Sequence, residues 1–372
     1  MTTIDQEQRE TESTYVAPAV DEEALLALAE HVGQHATAAV NAALVSLGDQ
    51  LGLWRALARS GPVTAGELSR RTGLSERLLQ EWLSSQAANG FLEYEAARDE
   101  FRLTPEGALV LADEDTAVSM VAVFAGLPSI MELMPALAGA FRTGEGIGWH
   151  EHDDSFFAAQ EKFSRPLQRE FLLDVWLGAV PGLSETISRG AKVADVGCGY
   201  GTSTILLGER YPQAQITGFD FHDQSVAHAR ATARERGVAD HVTFEVADAR
   251  ALPGSGYDVI LLIDALHDMG DPVAAAQHLR SLLVPDGVLV SLDPAAADTL
   301  ADNLAHHPMA GLMYAVSTFL CTPTAIAQHG PYALGALAGE SAIRQVLTDA
   351  GFTDVQRVGP DLPFNMVVVA RP

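Results

Sequence analysis

From Glu22 to Ala58 the chain reads EEALLALAEHVGQHATAAVNAALVSLGDQLGLWRALA. Its apolar residues recur at helical spacing, but they spread around the helix instead of keeping to a narrow stripe. A helix apolar on several sides is buried on several sides, so this segment is expected to pack both on its own domain and on a second copy of the chain. The next stretch, GPVTAGELSRRTGLSERLLQEWLSSQAANGFLEYEAARDEFRLTPEGALVLA, is punctuated by start and stop signals. Thr64 and Glu67 have capping-box spacing, and Gly73 ends that helix. Ser75 caps a second helix that Gly90 ends. FLEYE and EFRLT read as short strands around a turn at Ala97 to Asp99, and Thr104-Pro105 opens another helix as N-cap and first-turn proline. The order is that of a winged helix-turn-helix.

Beyond residue 126 the pattern divides again. Residues 126–186 read as helices and loops. From 187 onward strands alternate with helices: KVADVG, TSTILLGERY, AQITGFD, SVAHARATARERG, HVTFEVAD, YDVILLID, VAAAQHLRSLL, GVLVSLD. Such alternation specifies an α/β, doubly wound parallel sheet. GFTDVQRVG and FNMVVVARP then give two strands joined by a short loop, which can pair antiparallel at one sheet edge. The expected organisation is a mobile tail at 1–20, a mostly α winged-helix domain at 21–125, a helical linker at 126–186 that contributes to an acceptor pocket, and an α/β domain at 187–372.

Charge narrows the function classes. The formal net charge is −26. Residues 21–125 carry more than twice as many acids as arginines and no lysine, and the would-be recognition helix holds Glu76 and Glu81 beside Arg77. Binding nucleic acid gains its free energy from counterions displaced by Lys and Arg, so the winged helix is expected to serve dimerisation and pocket closure, not DNA. Anionic membrane surfaces are disfavoured on the same ground. No run of about 18 apolar residues offers a span, the polar, acidic start is unlike a signal peptide, and two cysteines, Cys198 and Cys321, suit a reducing compartment. A cytoplasmic location follows as the expectation.

The segment VADVGCGYGTS places Asp195, Gly197, Gly199 and Gly201 as D-x-G-x-G-x-G at the end of the first strand. Glycines there let the backbone turn tightly and let a ligand lie against it. A dinucleotide fingerprint would need Gly or Ala at Thr202, and an acid in the strand suits a ligand bearing an amino group better than a pyrophosphate. VADVGCGYG resembles the first motif of class I S-adenosylmethionine-dependent methyltransferases, and later segments match in order. The resemblance implies a Rossmann-like seven-stranded sheet with an antiparallel last strand, and S-adenosyl-L-methionine as cofactor. It further implies that Asp220 holds the ribose hydroxyls, that Phe221 lies against the adenine, that Asp248 with Ala249 meets the adenine amino group, and that Asp264 borders the cofactor. With the winged helix in front, the chain resembles the small-molecule methyltransferases of plants and of actinobacterial secondary metabolism, in particular a bacterial winged-helix subgroup. In that family the N-terminal helices form a homodimer and a small-molecule acceptor sits between the domains.

The acceptor side leaves alternatives open. His267, in LLIDALHDMGDP, follows the fourth strand where doubly wound sheets bind ligands. It is either a general base, as its counterpart in plant-type O-methyltransferases implies, or a loop histidine before the helix that Asp271-Pro272 opens; Met269 stands where that family has Trp. GWHEHDD at 148–154 is either a solvated loop or a source of pocket residues, and no metal is expected there. Trp149, His150 and Phe157 are candidates to line the acceptor, as are Met313 and Tyr314 on an apolar C-terminal helix. The methylated atom can be oxygen, nitrogen, or an electron-rich ring carbon such as indole C3, the last with no need of a strong base. A non-enzymatic, cofactor-sensing transcriptional regulator is the alternative from another class.

Overall fold

The computed structural model describes residues 19–359, 362 and 364–372; most of the expected tail falls outside them. The chain begins with a helix at Glu22–Gln50, opened by Asp21, whose carboxylate accepts from the Glu23 and Ala24 N–H groups. Short helices at Leu53–Ala58, Ala65–Thr72 and Glu76–Ala88 follow, then the wing strands β1 (Glu93–Glu95) and β2 (Glu100–Arg102), paired antiparallel. The Thr64–Glu67 capping box forms. Ser75 takes the N-cap position of its helix, though its hydroxyl makes no cap bond. Trp54 and Trp82 meet edge to face at 4.9 Å, and each indole N–H donates to a carbonyl of the first helix. Gly48 makes room for them, since a Cβ there would stand 2.5 Å from the Trp82 ring.

The helix at Asp154–Leu167 runs into a π-helical stretch at Gln168–Trp176. Pro166 contributes no N–H to that turn. Lys162 on this helix bonds Asp49 at 2.8 Å and lies 3.1 Å from Glu114, tying the helix to the N-terminal elements.

The C-terminal half is a seven-stranded sheet of order β5-β4-β3-β6-β7-β9-β8. Its strands are β3 (Lys192–Val196), β4 (Gln215–Asp220), β5 (Val242–Val246), β6 (Tyr257–Ile263), β7 (Leu283–Pro294), β8 (Asp354–Val358) and β9 (Asn365–Arg371). Six of them run in one direction and β9 alone runs in the other, antiparallel to β7 and β8. Strand periodicity is 2, and it divides the core. Val193, Val259 and Leu261 join one apolar cluster with the helices at Thr202–Arg210 and Asp223–Glu235. Ala194, Ile260 and Leu262 join the opposite cluster with the helices at Pro272–Leu282 and Gly339–Asp349. The chain leaves β3 toward β4 and leaves β6 toward β7, in opposite directions. The carboxyl ends of β3 and β6 therefore flank a topological switch point, where such sheets hold ligands.

The apolar segment Ala310–Ala327 has the length and hydropathy of a bilayer span. It is two helices, Ala310–Phe319 and Cys321–Ala327, broken at Leu320, and the second is buried at Cys321, Pro323, Thr324 and Ala325.

Candidate active site

The turn after β3 has Gly197, Gly199 and Gly201 at φ +76°, +52° and +81°, a region that costs other residues about 1–2 kcal/mol. Their surroundings differ. A Cβ on Gly197 would stand 2.6 Å from the Ala265 Cβ, and one on Gly201 2.6 Å from the Phe244 ring. At Gly199 nothing lies within 4 Å. The outer two glycines answer to packing; the middle one faces open space. The Gly199 N–H donates to Asp220 Oδ2 (2.8 Å) and the His222 N–H to Asp220 Oδ1 (2.9 Å). Burial still holds the Asp220 carboxyl above its usual range. Asp195 is fully buried; Ser203 and Thr204 both donate to its Oδ2 at 2.6 Å, while Oδ1 has no partner. An unmet buried acceptor costs roughly 1–3 kcal/mol. Open space at Gly199 and an unmet acceptor on Asp195 fit a cofactor that carries a donor group.

Phe221 is half exposed, its ring free to stack. Asp248 is engaged by Arg250, whose backbone N–H and Nε reach Oδ1 (2.8 and 3.1 Å) and whose Nη2 reaches Oδ2 (2.7 Å). Those bonds hold its pKa below the usual value. Arg250 thus occupies both oxygens of the carboxylate, a partner invisible in the motif. Ala249 starts the short helical turn between them.

Asp264 ends β6 in left-handed geometry, φ +50°. Its N–H donates to the Leu292 carbonyl (2.7 Å) and its carboxylate accepts from Asn365 Nδ2 (2.6 Å), which bolts it to β7 and β9. Burial raises its pKa to about 7. His267 follows in a single 3-10 turn, Leu266–Asp268, and is 4% exposed. Its Nδ1 is 2.9 Å from Asp293 Oδ1, and the Ser291 hydroxyl donates to Asp293 Oδ2 at 2.6 Å. An ionised carboxylate only accepts, so Nδ1 carries the proton and Nε2 is the remaining nitrogen, 3.4 Å from Asp268 Oδ1. Burial alone would lower the His267 pKa; the Asp268 charge and the Asp293 bond outweigh it and hold it well above the ordinary value. Asp271 caps the next helix, accepting from the Ala274 N–H.

Trp149, Phe157 and Met313 converge in one apolar cluster with Phe156, Leu320 and Cys321. Tyr200, from the glycine turn, packs on the same cluster and joins it to the cofactor side. The loop is held in place by the Ile147 N–H, which donates to the Pro323 carbonyl. His150 is exposed and outside that cluster. Tyr314 is half-buried, its hydroxyl accepting from Asn303 Nδ2. In the same loop Glu151 and Asp153 are spent on caps, accepting from the Gly148 and Phe156 N–H groups. His152 is buried against Phe156 with neither ring nitrogen bonded, and burial lowers its pKa. Asp293, Cys321 and Tyr200 escaped the sequence reading as site residues, whereas His152 lies in the GWHEHDD loop it singled out. Only Asp293 carried a signal, as the acid closing the strand GVLVSLD.

Residues 187–350 match the family model described as a methyltransferase domain, and residues 38–113 the Rv2258c-like winged HTH domain. A trans-aconitate 2-methyltransferase of Escherichia coli is 40% identical over 98 residues, 26% of this chain and 36% of that one. This chain spans less than half the length of the curated relatives it matches. Among solved structures, an O-methyltransferase family protein from Burkholderia thailandensis superposes with TM-score 0.68 at 20% identity, covering 95% of this chain and 98% of that one. Human N-acetylserotonin methyltransferase, solved in complex with SAM, gives TM-score 0.66 at 18% identity, covering 96% and 99%. At such identities the superpositions speak to the fold, and they extend over both halves of the chain. Residues 187–350 are thus a methyltransferase domain of the class I fold, carried behind an Rv2258c-like winged helix-turn-helix domain.

Proposed function

We propose that this protein transfers the methyl group of S-adenosyl-L-methionine to an oxygen of a small aromatic metabolite. The observation that carries the reading is the Ser291–Asp293–His267 chain of hydrogen bonds at the ends of β6 and β7, next to the glycine turn of β3. The bound cofactor supplies an electrophilic sulfonium methyl. Gly199 gives it room, Asp220 is placed for ribose hydroxyls, Asp195 Oδ1 for a donor, and Phe221, Asp248 and Ala249 for the adenine, with Asp264 at the methyl end. Trp149, Phe157 and Met313 offer the acceptor an apolar wall, with His150 and Tyr314 toward its margins. Alignment of nucleophile and methyl is the larger task, about 7–11 kcal/mol. His267, its Nδ1 held by Asp293, adds a base contribution of about 10²–10⁴-fold only once Nε2 has lost its proton, which its raised pKa defers to higher pH.

A ring-carbon acceptor would leave that oriented imidazole without a task, so oxygen is favoured over carbon. The regulator reading fares worse, given the acidic wing and recognition helix. The division at 21–125, 126–186 and 187–372 belongs to this proposal, the middle segment supplying acceptor contacts. So does a homodimer: Leu25, Leu26, Leu28, Val32 and Val40 of the first helix are more than half exposed, an apolar surface that a second copy would cover. A cytoplasmic setting and a place in bacterial secondary metabolism fit the two buried free thiols and the family likeness. The test is His267→Ala against phenolic and indolic acceptors, with S-adenosylhomocysteine affinity measured by calorimetry as the folding control. A loss of about a hundredfold or more on phenols with cofactor affinity retained supports the reading; unchanged phenol turnover refutes it.

A further inference from the structure

We propose that His267, Asp268 and Cys321 form a binding site for a thiophilic divalent cation, with Zn²⁺ the best match. One ligand atom from each residue, an imidazole nitrogen, a carboxylate oxygen and a sulfur, lies within 4.8 Å of the other two. Bond lengths of about 2.0–2.3 Å to zinc imply tetrahedral edges of about 3.3–3.7 Å, and Nε2 to Asp268 Oδ1 is 3.4 Å.

Two further observations point the same way. Asp268 Oδ1 is buried with no hydrogen bond of normal geometry, and what it faces is His267 Nε2 at 3.4 Å, with the Cys321 thiol also against the carboxyl. The imidazole is also set as metal-binding histidines are: Nδ1 bonds Asp293, which Ser291 holds in turn, leaving Nε2 facing Asp268, the carboxylate–histidine arrangement that orients a ligand toward zinc. A nitrogen, an oxygen and a sulfur together suit zinc over magnesium or calcium, which take oxygen. Cys321 also belongs to the aromatic cluster, so the three residues adjoin the proposed acceptor wall. The cation and the acceptor then need the same lone pair on Nε2, and zinc competes with the acceptor. This competition rests on the methyl-transfer reading; binding does not.

The test titrates Zn²⁺ into the full-length, chelator-treated protein against a chromophoric chelator, without cofactor or acceptor. One Zn²⁺ per chain is expected, weakened at least tenfold by Cys321→Ser and by Asp268→Asn and unchanged by Cys198→Ser, the control for the other buried thiol. The exposed pair His31 and His35, whose ring nitrogens are 3.2 Å apart, is the rival ligand set, so the titration is repeated on the His31→Ala/His35→Ala chain. Cd²⁺ should give a thiolate-to-metal ultraviolet band on the wild type, which keeps the test decisive if a variant unfolds. Absence of that band, binding insensitive to both Cys321→Ser and Asp268→Asn, or binding abolished by the His31/His35 changes overturns the site. With an active acceptor in hand, zinc inhibition relieved by excess acceptor supports the shared Nε2, and inhibition independent of acceptor refutes it.

Discussion

Gly199 and Gly201 share a left-handed backbone but differ in what surrounds them, and that difference separates ligand binding from stability. In Gly199→Ala the new methyl meets nothing within 4 Å, so only the φ of +52° is penalised, at about 1–2 kcal/mol. In Gly201→Ala the same backbone term applies. There the methyl would also stand 2.6 Å from Phe244 and 2.8 Å from Ala229, an overpacking that adds about 1–3 kcal/mol. The total is about 2–5 kcal/mol. Urea unfolding should therefore rank Gly201→Ala well below Gly199→Ala in stability. Calorimetry with S-adenosylhomocysteine should invert the emphasis. The modestly destabilised Gly199→Ala should lose at least tenfold in affinity, because its methyl occupies the cradle the ligand needs. Wild-type affinity in a folded Gly199→Ala chain would refute the placement of the cofactor; equal destabilisation by the two substitutions would refute the packing argument.

Three other outcomes are expected. Asp220→Ala should abolish S-adenosylhomocysteine binding, since it removes the carboxylate and leaves the Gly199 and His222 N–H groups without their acceptor; calorimetry showing unchanged affinity would reject the assignment. Asp264, with a folded pKa raised from 3.8 to about 7, holds a proton in the folded state that the unfolded chain releases from about pH 4. Its contribution therefore falls as pH rises from 4 to 7, by up to about 4 kcal/mol at about 1.4 per unit. Asp264→Asn, which tolerates the positive φ, should flatten the fall in melting temperature between pH 4 and 7, and an unaltered slope would sink that account. Lys162→Ala, which strips a half-buried cation from Asp49 and Glu114, should lower urea stability by about 1–3 kcal/mol, whereas an unchanged midpoint would mean the ion pairs do not couple the segments.

Local chemistry made most of the fold legible. The Thr64–Glu67 box, the Gly73 stop, Thr104-Pro105 and Asp271-Pro272 act within a few residues, so sequence alone marks those helix ends. The β/α alternation after residue 187 and the D-x-G-x-G-x-G turn likewise announce the sheet and its first ligand loop. Ser75 shows the limit even locally, since its N-cap position came without the side-chain bond.

By itself, then, the sequence determined the winged helix, the wound sheet and the acidic character of the chain, because periodicity, caps and net charge are properties of short windows or simple sums. Only the tertiary structure decided which of three similar glycines faces open space, since that depends on Phe244 and Ala265, far along the chain. It also decided the state of His267. Asp293 from the next strand and Cys321 from a helix more than fifty residues on enclose an imidazole that sequence could place only beside Asp268. Burial and charge at such a site are set by what distant segments bring to it, and pairing across strands is not written in any one of them.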